Sequence, residues 1–329
     1  MSEPADLAGV LGLVLTWHDA GQAVAVATVV ETWGSAPRPT GSQLVIRDDG
    51  HMEGSVSGGC VEGAVIVEAL EALEDGAARL LEFGVSDDEA FAVGLACGGR
   101  IRVLVEPVGG AGHGAMPADL LREVVARMRS RTPIAYVANL ETGDRRTVGA
   151  DSHADRFRLD RSGVEDDGET FVAIHNPPLR MIVVGGVHIA QHLMPMARAC
   201  GFEPLLVDPR PAFGSPERFP DTTISDEWPD DALRRTGLDA RTAVVTLTHD
   251  AKLDDPAIKA ALGSDVFYLG CLGSKRTHAK RVERLKADGF GDDDIARIHA
   301  PVGLDIGGRS PAEIAVSVMA QITQTLRQG

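Results

Sequence analysis

Residues 181–190 read MIVVGGVHIA, an apolar run that meets two glycines and then the start of an amphipathic helix. Asp208 ends the next predicted strand, 23 residues after Gly185. This is the layout of a dinucleotide-binding βαβ unit, in which backbone N–H groups and the helix dipole receive a pyrophosphate while an acidic side chain binds a ribose hydroxyl. Val187 stands where the usual fingerprint has its second glycine, so the turn could equally serve strand-to-helix packing alone.

From Arg180 onward, apolar strands alternate with amphipathic helices, which predicts an α/β domain with a doubly wound parallel sheet of the Rossmann type. The predicted strands are 180–185, 204–208, 242–247 and 265–270, and the predicted helices are 188–200, 253–262 and 274–288. A last helix is predicted to begin at Ser310, because Ser310 can cap it, Pro311 suits the first helical position and Glu313 can close a capping box.

The residues before this pattern are organised differently, and Pro177 and Pro178 mark the change. We therefore predict an N-terminal α+β domain over residues 1–176 and a C-terminal Rossmann-type domain over residues 177–329. The predicted helices of the first domain are Pro4–Ala20, 61–74 and Ala118–Arg129, and its predicted strands are 23–31, Gln43–Arg47, Arg79–Phe83 and Arg100–Glu106. The polar stretch Asp151–Glu169 predicts a loosely structured segment.

Composition and charge disfavour several classes of protein. With 44% hydrophobic residues the 329-residue chain can bury a substantial core, and its formal net charge of −16 opposes nucleic-acid binding, which depends on Lys and Arg. Its apolar runs are shorter than the ~20 residues that cross a bilayer, and its first residues lack the basic region of a secretory signal. We predict a cytoplasmic protein, with no nucleic-acid or membrane partner, whose four cysteines do not form a disulfide framework and whose Cys60 and Cys97 are thiols.

Candidate binding residues of the second domain follow its predicted strands. The carboxyl ends of parallel strands share one edge of a sheet, and ligands of such sheets bind there. We predict a ligand cleft lined by Gly185, His188, Asp208, Thr248 and Gly273. His249 and Asp250 follow Thr248, and Ser274 with Lys275 and Arg276 at a helix start would suit a phosphate, although an exposed basic turn would also explain Lys275.

Two cysteines of the first domain lie beside paired glycines. Gly58 and Gly59 precede Cys60 at a predicted helix start, and Cys97 precedes Gly98 and Gly99. A helix N-terminus favours the thiolate, which is the form that binds a soft metal. The alternative is that both cysteines are small residues packed in tight turns. The other two cysteines, Cys200 and Cys271, are interpreted as mainly structural.

Taken together, these segments resemble the XdhC/CoxI family, accessory proteins of molybdenum hydroxylases such as xanthine and carbon monoxide dehydrogenases. The resemblance covers nearly the whole chain. The segments that carry it are 34–39, 54–62, 96–99, 185–190, 208–210, 248–250, 268–277 and 301–307.

The resemblance implies an N-terminal XdhC/CoxI-type domain and a C-terminal Rossmann-type domain that carry a molybdenum cofactor, either molybdopterin or its cytosine dinucleotide. It implies help with sulfuration of the molybdenum, together with a cysteine desulfurase, and delivery to an apo molybdenum hydroxylase. A cofactor cytidylyltransferase and a second copy of the chain are further implied partners. The family's motifs add Glu62, Gly98, Gly186, Arg210 and Asp305 to the cofactor-binding residues, and Cys60 and Cys97 become candidate contacts to the molybdenum.

A rival hypothesis is an NAD(P)-dependent oxidoreductase that uses the same βαβ unit. Against it, neither of the two tyrosines begins a Tyr-x-x-x-Lys arrangement, and His249 with Asp250 is the only compact acid/base candidate. A non-catalytic redox or scaffold module is a third hypothesis. We therefore expect a carrier without turnover of its own rather than an enzyme.

Overall fold

The structure is a computed structural model that describes residues 8–84 and 99–328. The chain divides into two units, Met1–Pro177 and Pro178–Gly329. Within the described residues, no helix is both long and apolar enough to cross a membrane.

The N-terminal unit contains two antiparallel sheets. The first has the strand order β3-β2-β1-β5-β4 and the second the order β7-β6-β9-β8. The strands are β1 Val24–Trp33, β2 Gln43–Arg47, β3 Met52–Gly54, β4 Arg79–Phe83, β5 Arg100–Pro107, β6 Ile134–Asn139, β7 Arg145–Val148, β8 Gly163–Val164 and β9 Thr170–His175. The helices are α1 Gly9–Asp19, α2 Glu62–Asp75, α3 Ala118–Arg129 and α4 Ala154–Leu159.

Residues 24–30 of β1 are buried on both faces, which explains why they are apolar apart from Thr28 and do not alternate with exposed polar residues. Ala25 and Ala27 pack in the cluster that contains α2, whereas Val24 and Val26 pack in the cluster that contains α1 and α3. The small alanines leave room for α2 to lie close to the sheet.

The prediction of a loose segment over 151–169 is wrong, because this segment contains α4 and β8. Phe157 is its apolar anchor and packs in a small cluster with Val137 and Val172. A single buried aromatic residue in a polar stretch produces no helical periodicity, so the sequence pattern did not reveal this helix.

The C-terminal unit is a six-stranded parallel sheet with the order β12-β11-β10-β13-β14-β15. The strands are β10 Leu179–Val184, β11 Phe202–Val207, β12 Thr223–Ser225, β13 Thr242–Thr246, β14 Tyr268–Cys271 and β15 Ile298–His299. The helices are α5 His188–Ala199, α6 Pro229–Thr236, α7 Ala251–Leu262, α8 Lys275–Ala287, α9 Asp292–Ala296 and α10 Pro311–Gln328.

Helices cover both faces of this sheet. Met181 and Val183 of β10 point into the core that α5 and α10 complete, whereas Ile182 and Val184 point into the core of α6, α7 and α8. This alternation produces a doubly wound sheet. The predicted fold class is confirmed.

The last helix begins where the sequence predicts. The Ser310 backbone N–H donates to a carboxylate oxygen of Glu313 at 2.8 Å, and the Glu313 backbone N–H donates to the Ser310 hydroxyl at 3.3 Å. This reciprocal pair is a capping box, which satisfies donors that the first helical turn leaves without partners.

Candidate functional site

One edge of the parallel sheet collects most of the predicted binding residues. Because β10, β11, β13 and β14 run parallel, the loops that follow them leave the sheet at the same edge. The loop after β15 joins them, since the Val302 backbone N–H donates to the carbonyl of Cys271 at 3.2 Å. The predicted residues in these loops or at the helix starts that follow are Gly185, Gly186, His188, Asp208, Arg210, Thr248, His249, Asp250, Gly273, Ser274, Arg276 and Asp305.

The turn between β10 and α5 was predicted to receive a pyrophosphate, but its N–H groups already have partners. Gly185 N donates to the carbonyl of Val207 at 3.0 Å and Gly186 N to Oδ2 of Asp208 at 2.8 Å. Val187 N donates to the carbonyl of Gly185 at 2.9 Å. In this segment, the N–H groups that remain for a phosphate are those of the first turn of α5. This helix begins at the exposed His188 and has no side-chain cap.

Both glycines of the turn permit close approach of neighbouring loops. Gly185 has φ +108°, and a Cβ atom there would lie 2.6 Å from Cγ2 of Thr248. A Cβ atom on Gly186 would lie 2.4 Å from the carbonyl oxygen of Phe213. Arg218 holds the turn and the loop after β11 together, because its Nη1 donates to the carbonyls of both Gly186 and Phe213 at 2.7 Å. The turn is therefore covered by the loop that follows β11.

Asp208, the predicted ribose ligand, is buried with its carboxylate fully engaged. Oδ1 accepts from N and Nε of Arg210 at 3.0 and 2.9 Å, and Oδ2 accepts from Gly186 N and from Nη2 of Arg210, each at 2.8 Å. Burial raises the pKa of Asp208, but the bonds from Arg210 and Gly186 outweigh it and hold that pKa below its usual value. A ribose hydroxyl would have to displace Arg210, and the ribose contact stays a prediction.

The loop after β13 is organised by Thr248. Its hydroxyl donates to Oδ1 of Asp254 at 2.6 Å and accepts from Asp250 N at 3.1 Å. The Asp250 carboxylate caps α7 by accepting from Lys252 N at 2.9 Å, while His249 is exposed. Burial raises the pKa of Asp254 to about 6, against the opposing effects of Thr248 and Arg281. Sequence reasoning missed Asp254. It could have been found from its position in the first turn of α7, the helix that follows the loop after β13 at the edge of the sheet where the predicted binding residues lie, hereafter the binding edge.

The loop after β14 begins α8. The Ser274 hydroxyl caps the helix by accepting from Thr277 N at 3.2 Å, and Gly273 has φ +136°. Arg276 is exposed one residue inside the helix, and Asp305 is exposed in the loop before α10.

A cavity of about 370 Å³ lies between α7 and α8, beside this edge. Two of its lining residues, His249 and Arg276, were predicted from the sequence. Sequence reasoning missed Lys280, Arg281 and Arg284, although their spacing from Arg276 places them on neighbouring turns of one helix. The cavity is lined by His249, Ala251, Asp254, Arg276, Thr277, Lys280, Arg281 and Arg284.

In the N-terminal unit, the loop that presents Cys60 is built around Glu62. The buried Glu62 carboxylate accepts from the Ser55 hydroxyl at 2.6 Å and from Ser57 N and Gly59 N, both at 2.9 Å. The Ser57 hydroxyl also contacts this carboxylate and accepts from Cys60 N at 2.9 Å.

This arrangement separates the roles of the predicted residues. Burial raises the pKa of Glu62, but the hydroxyls of Ser55 and Ser57 and nearby N–H groups outweigh it and bring that pKa to about 2. Glu62 is therefore a charged loop organiser, whereas Gly58, Gly59 and Cys60 are exposed. Cys97 and Gly98 lie outside the described residues, so the convergence of Cys60 and Cys97 stays a prediction.

Fold and site together define a two-unit α/β protein with a Rossmann-type C-terminal unit and an exposed thiol on a glycine-rich loop of its N-terminal unit. The family model of the XdhC Rossmann domain matches residues 181–322. The model of the XdhC and CoxI family matches residues 17–84.

Individual proteins that are similar to this chain agree with the two family matches. The chain is 32% identical to the molybdenum cofactor insertion chaperone PaoD of Escherichia coli, over 92% of this chain and 83% of PaoD. It is 27% identical to a probable xanthine dehydrogenase component of Bacillus subtilis, over 92% of this chain and 93% of that protein. The crystal structure of a xanthine dehydrogenase from Bacillus halodurans superposes with a TM-score of 0.62 at 26% identity, covering 98% of this chain and 96% of that one.

This chain belongs to the XdhC/CoxI family. The resemblance that its sequence motifs indicate is thereby confirmed.

Proposed function

We propose that this protein is a carrier that binds the molybdenum cofactor and delivers it to an apo molybdenum hydroxylase. The observation that carries the proposal is the 32% identity to a molybdenum cofactor insertion chaperone over 92% of the chain. We further propose that it carries molybdopterin or its cytosine dinucleotide, that a cofactor cytidylyltransferase and a cysteine desulfurase are partners, and that it assists sulfuration.

The chemistry of the described residues fits such a cargo. When bound, the cofactor would supply a molybdenum centre with soft sulfur ligands, and phosphate oxygens. Cys60 offers an exposed thiol on a loop that Glu62 holds in shape, and a thiolate suits a soft centre. Arg276 and Lys280, which line the cavity of the C-terminal unit, offer cations for phosphate.

The test is to purify the protein from cells that make the cofactor and to analyse what co-purifies. We expect a pterin with molybdenum, and we expect the loaded protein to restore activity to an apo molybdenum hydroxylase that the cofactor-free protein leaves inactive. Absorbance and mass spectrometry identify the pterin, and metal analysis measures molybdenum. Bound NAD(P), or saturable turnover of small carbonyl substrates with NAD(P)H, would instead favour an oxidoreductase.

Replacing Cys60 with alanine should lower cofactor retention or transfer several-fold while leaving thermal stability within about 2 °C of the wild type. The thiol is exposed, and exposed substitutions usually change stability by less than about 0.5 kcal/mol. Pterin content after gel filtration and the unfolding midpoint measure the two effects.

Cys200→Ala is the matched control, because Cys200 is also a free, exposed thiol but lies at the end of α5. Its variant should retain the cofactor as the wild type does. Equal losses in both variants would exclude a specific role for Cys60.

A further inference from the structure

The cavity between α7 and α8 concentrates positive charge in a protein whose formal net charge is −16. Arg276, Lys280 and Arg284 are spaced four residues apart, so α8 presents them on one face. Arg284 is neutralised by Asp255, whose two carboxylate oxygens accept from Nε at 2.5 Å and from Nη2 at 2.9 Å. Arg276 and Lys280 form no ion pair within the described part of the chain.

Arg281 is the innermost cation of this cavity, and its guanidinium is only partly satisfied. The side chain is 3% exposed, and Nη2 donates to the carbonyl of Leu272 at 3.0 Å. Nη2 lies 3.8 Å from Oδ2 of Asp254, which is an ion pair without a hydrogen bond. Nε and Nη1 are buried and have no hydrogen-bond partner among the described residues. Unsatisfied buried donors of a charged group are costly, so a ligand oxygen that reaches and accepts from either nitrogen would bind favourably.

The chemistry of that ligand follows from the donors. A guanidinium presents two parallel N–H bonds along its Nε/Nη2 edge or its Nη1/Nη2 edge, and the bond to Leu272 uses only one of the two N–H groups of Nη2. Such a pair of N–H bonds matches phosphate oxygens, and Arg276 and Lys280 add charge at the mouth. The volume of about 370 Å³ is within the range of small-molecule sites. By contrast, the three N–H groups of Gly185, Gly186 and Val187, where the sequence predicts a phosphate, are bonded within the protein.

We propose that this cavity, rather than the turn after β10, is the phosphate site of the C-terminal unit. Arg281 binds the phosphate or pyrophosphate group, and Arg276 and Lys280 attract it and close on its outer oxygens. In taking this group as part of the carried pterin cofactor, the inference rests on the proposed function. The remaining parts of the ligand extend toward His249, which lines the same cavity at the binding edge.

The first experiment uses inorganic pyrophosphate as the probe and isothermal titration calorimetry of the full chain at low salt. Lys280→Gln and Arg276→Gln should each weaken pyrophosphate binding about tenfold or more, because each removes a charge-assisted hydrogen bond. Lys286→Gln is the matched control: Lys286 is on the same helix, the substitution removes the same charge, and its ammonium pairs with Asp292 at 2.7 Å outside the cavity. Lys286→Gln should bind pyrophosphate like the wild type.

Arg281→Lys tests the two parallel bonds of the guanidinium, since lysine keeps the charge but cannot make them. The folded variant should bind pyrophosphate at least tenfold more weakly than the wild type. Absence of pyrophosphate binding to the wild type would overturn the proposal. Equal losses in Lys280→Gln and Lys286→Gln would also overturn it, because general electrostatic attraction would then explain binding.

A second measurement separates this inference from the proposed function. Pterin content of Lys280→Gln after purification should fall relative to Lys286→Gln. If pyrophosphate binding depends on Lys280 but pterin content does not, the assignment of the cavity to the carried cofactor is overturned. If the wild type retains no pterin at all, the proposed function fails. The pyrophosphate titration still tests whether the cavity is a phosphate site.

Discussion

Gly185→Ala is expected to lower the free energy of unfolding by about 3 kcal/mol or more. The φ of +108° costs an L residue roughly 1–2 kcal/mol, and a Cβ atom 2.6 Å from Cγ2 of Thr248 must push that side chain away. Thr248 in turn holds Asp254 through its hydroxyl, so the displacement also disturbs the start of α7. Urea unfolding followed by circular dichroism measures the loss.

Gly201→Ala separates the backbone strain from the steric clash with Thr248. Gly201 has φ +82°, but a Cβ atom there meets nothing within 4 Å, so only the backbone strain remains. This control should lose roughly 1 kcal/mol. A similar loss in both variants would mean that Thr248 yields without cost and that close packing of the loops after β10 and β13 does not stabilise the fold.

Glu62→Gln is expected to destabilise the protein by about 2–4 kcal/mol and to disorder the loop that presents Cys60. The carboxylate accepts from two hydroxyls and from the backbone N–H groups of Val56, Ser57 and Gly59. An amide has one accepting oxygen, so its NH₂ group would face N–H and O–H donors where the carboxylate has its second accepting oxygen. Glu74→Gln, at an exposed position of the same helix, should be neutral.

The same carboxylate predicts a pH dependence. The pKa of Glu62 is lowered from an ordinary value of 4.5 to about 2 in the folded protein. Its stabilising contribution is therefore complete above pH 4.5 and is lost as the pH falls through about 2. The stability difference between the wild type and Glu62→Gln should shrink over this interval. A constant difference from pH 6 to pH 2 would show that the charge of Glu62 does not hold the loop.

Local sequence patterns determined the parts of this protein that depend on neighbours along the chain. The strand and helix alternation after Arg180 is enough for a parallel sheet, because each apolar run must be buried on both faces between helices. The start of α10 at Ser310 was predicted correctly, since all atoms of its capping box lie within four residues. Strands β12 and β15 were missed, because two or three residues show no periodicity.

Tertiary structure alone decided which donors of the binding edge remain for a ligand. Gly186 N is bonded to Asp208, 22 residues away, so a turn that reads as a phosphate loop is internally satisfied. Arg281 lies beside the residues of α7 only after two strand crossovers fold, and burial then leaves two of its nitrogens without partners among the described residues. Hydrogen bonds of this kind connect residues that are far apart in the sequence. Which of these residues come within about 3 Å of one another depends on how the chain packs, and the sequence pattern does not show it.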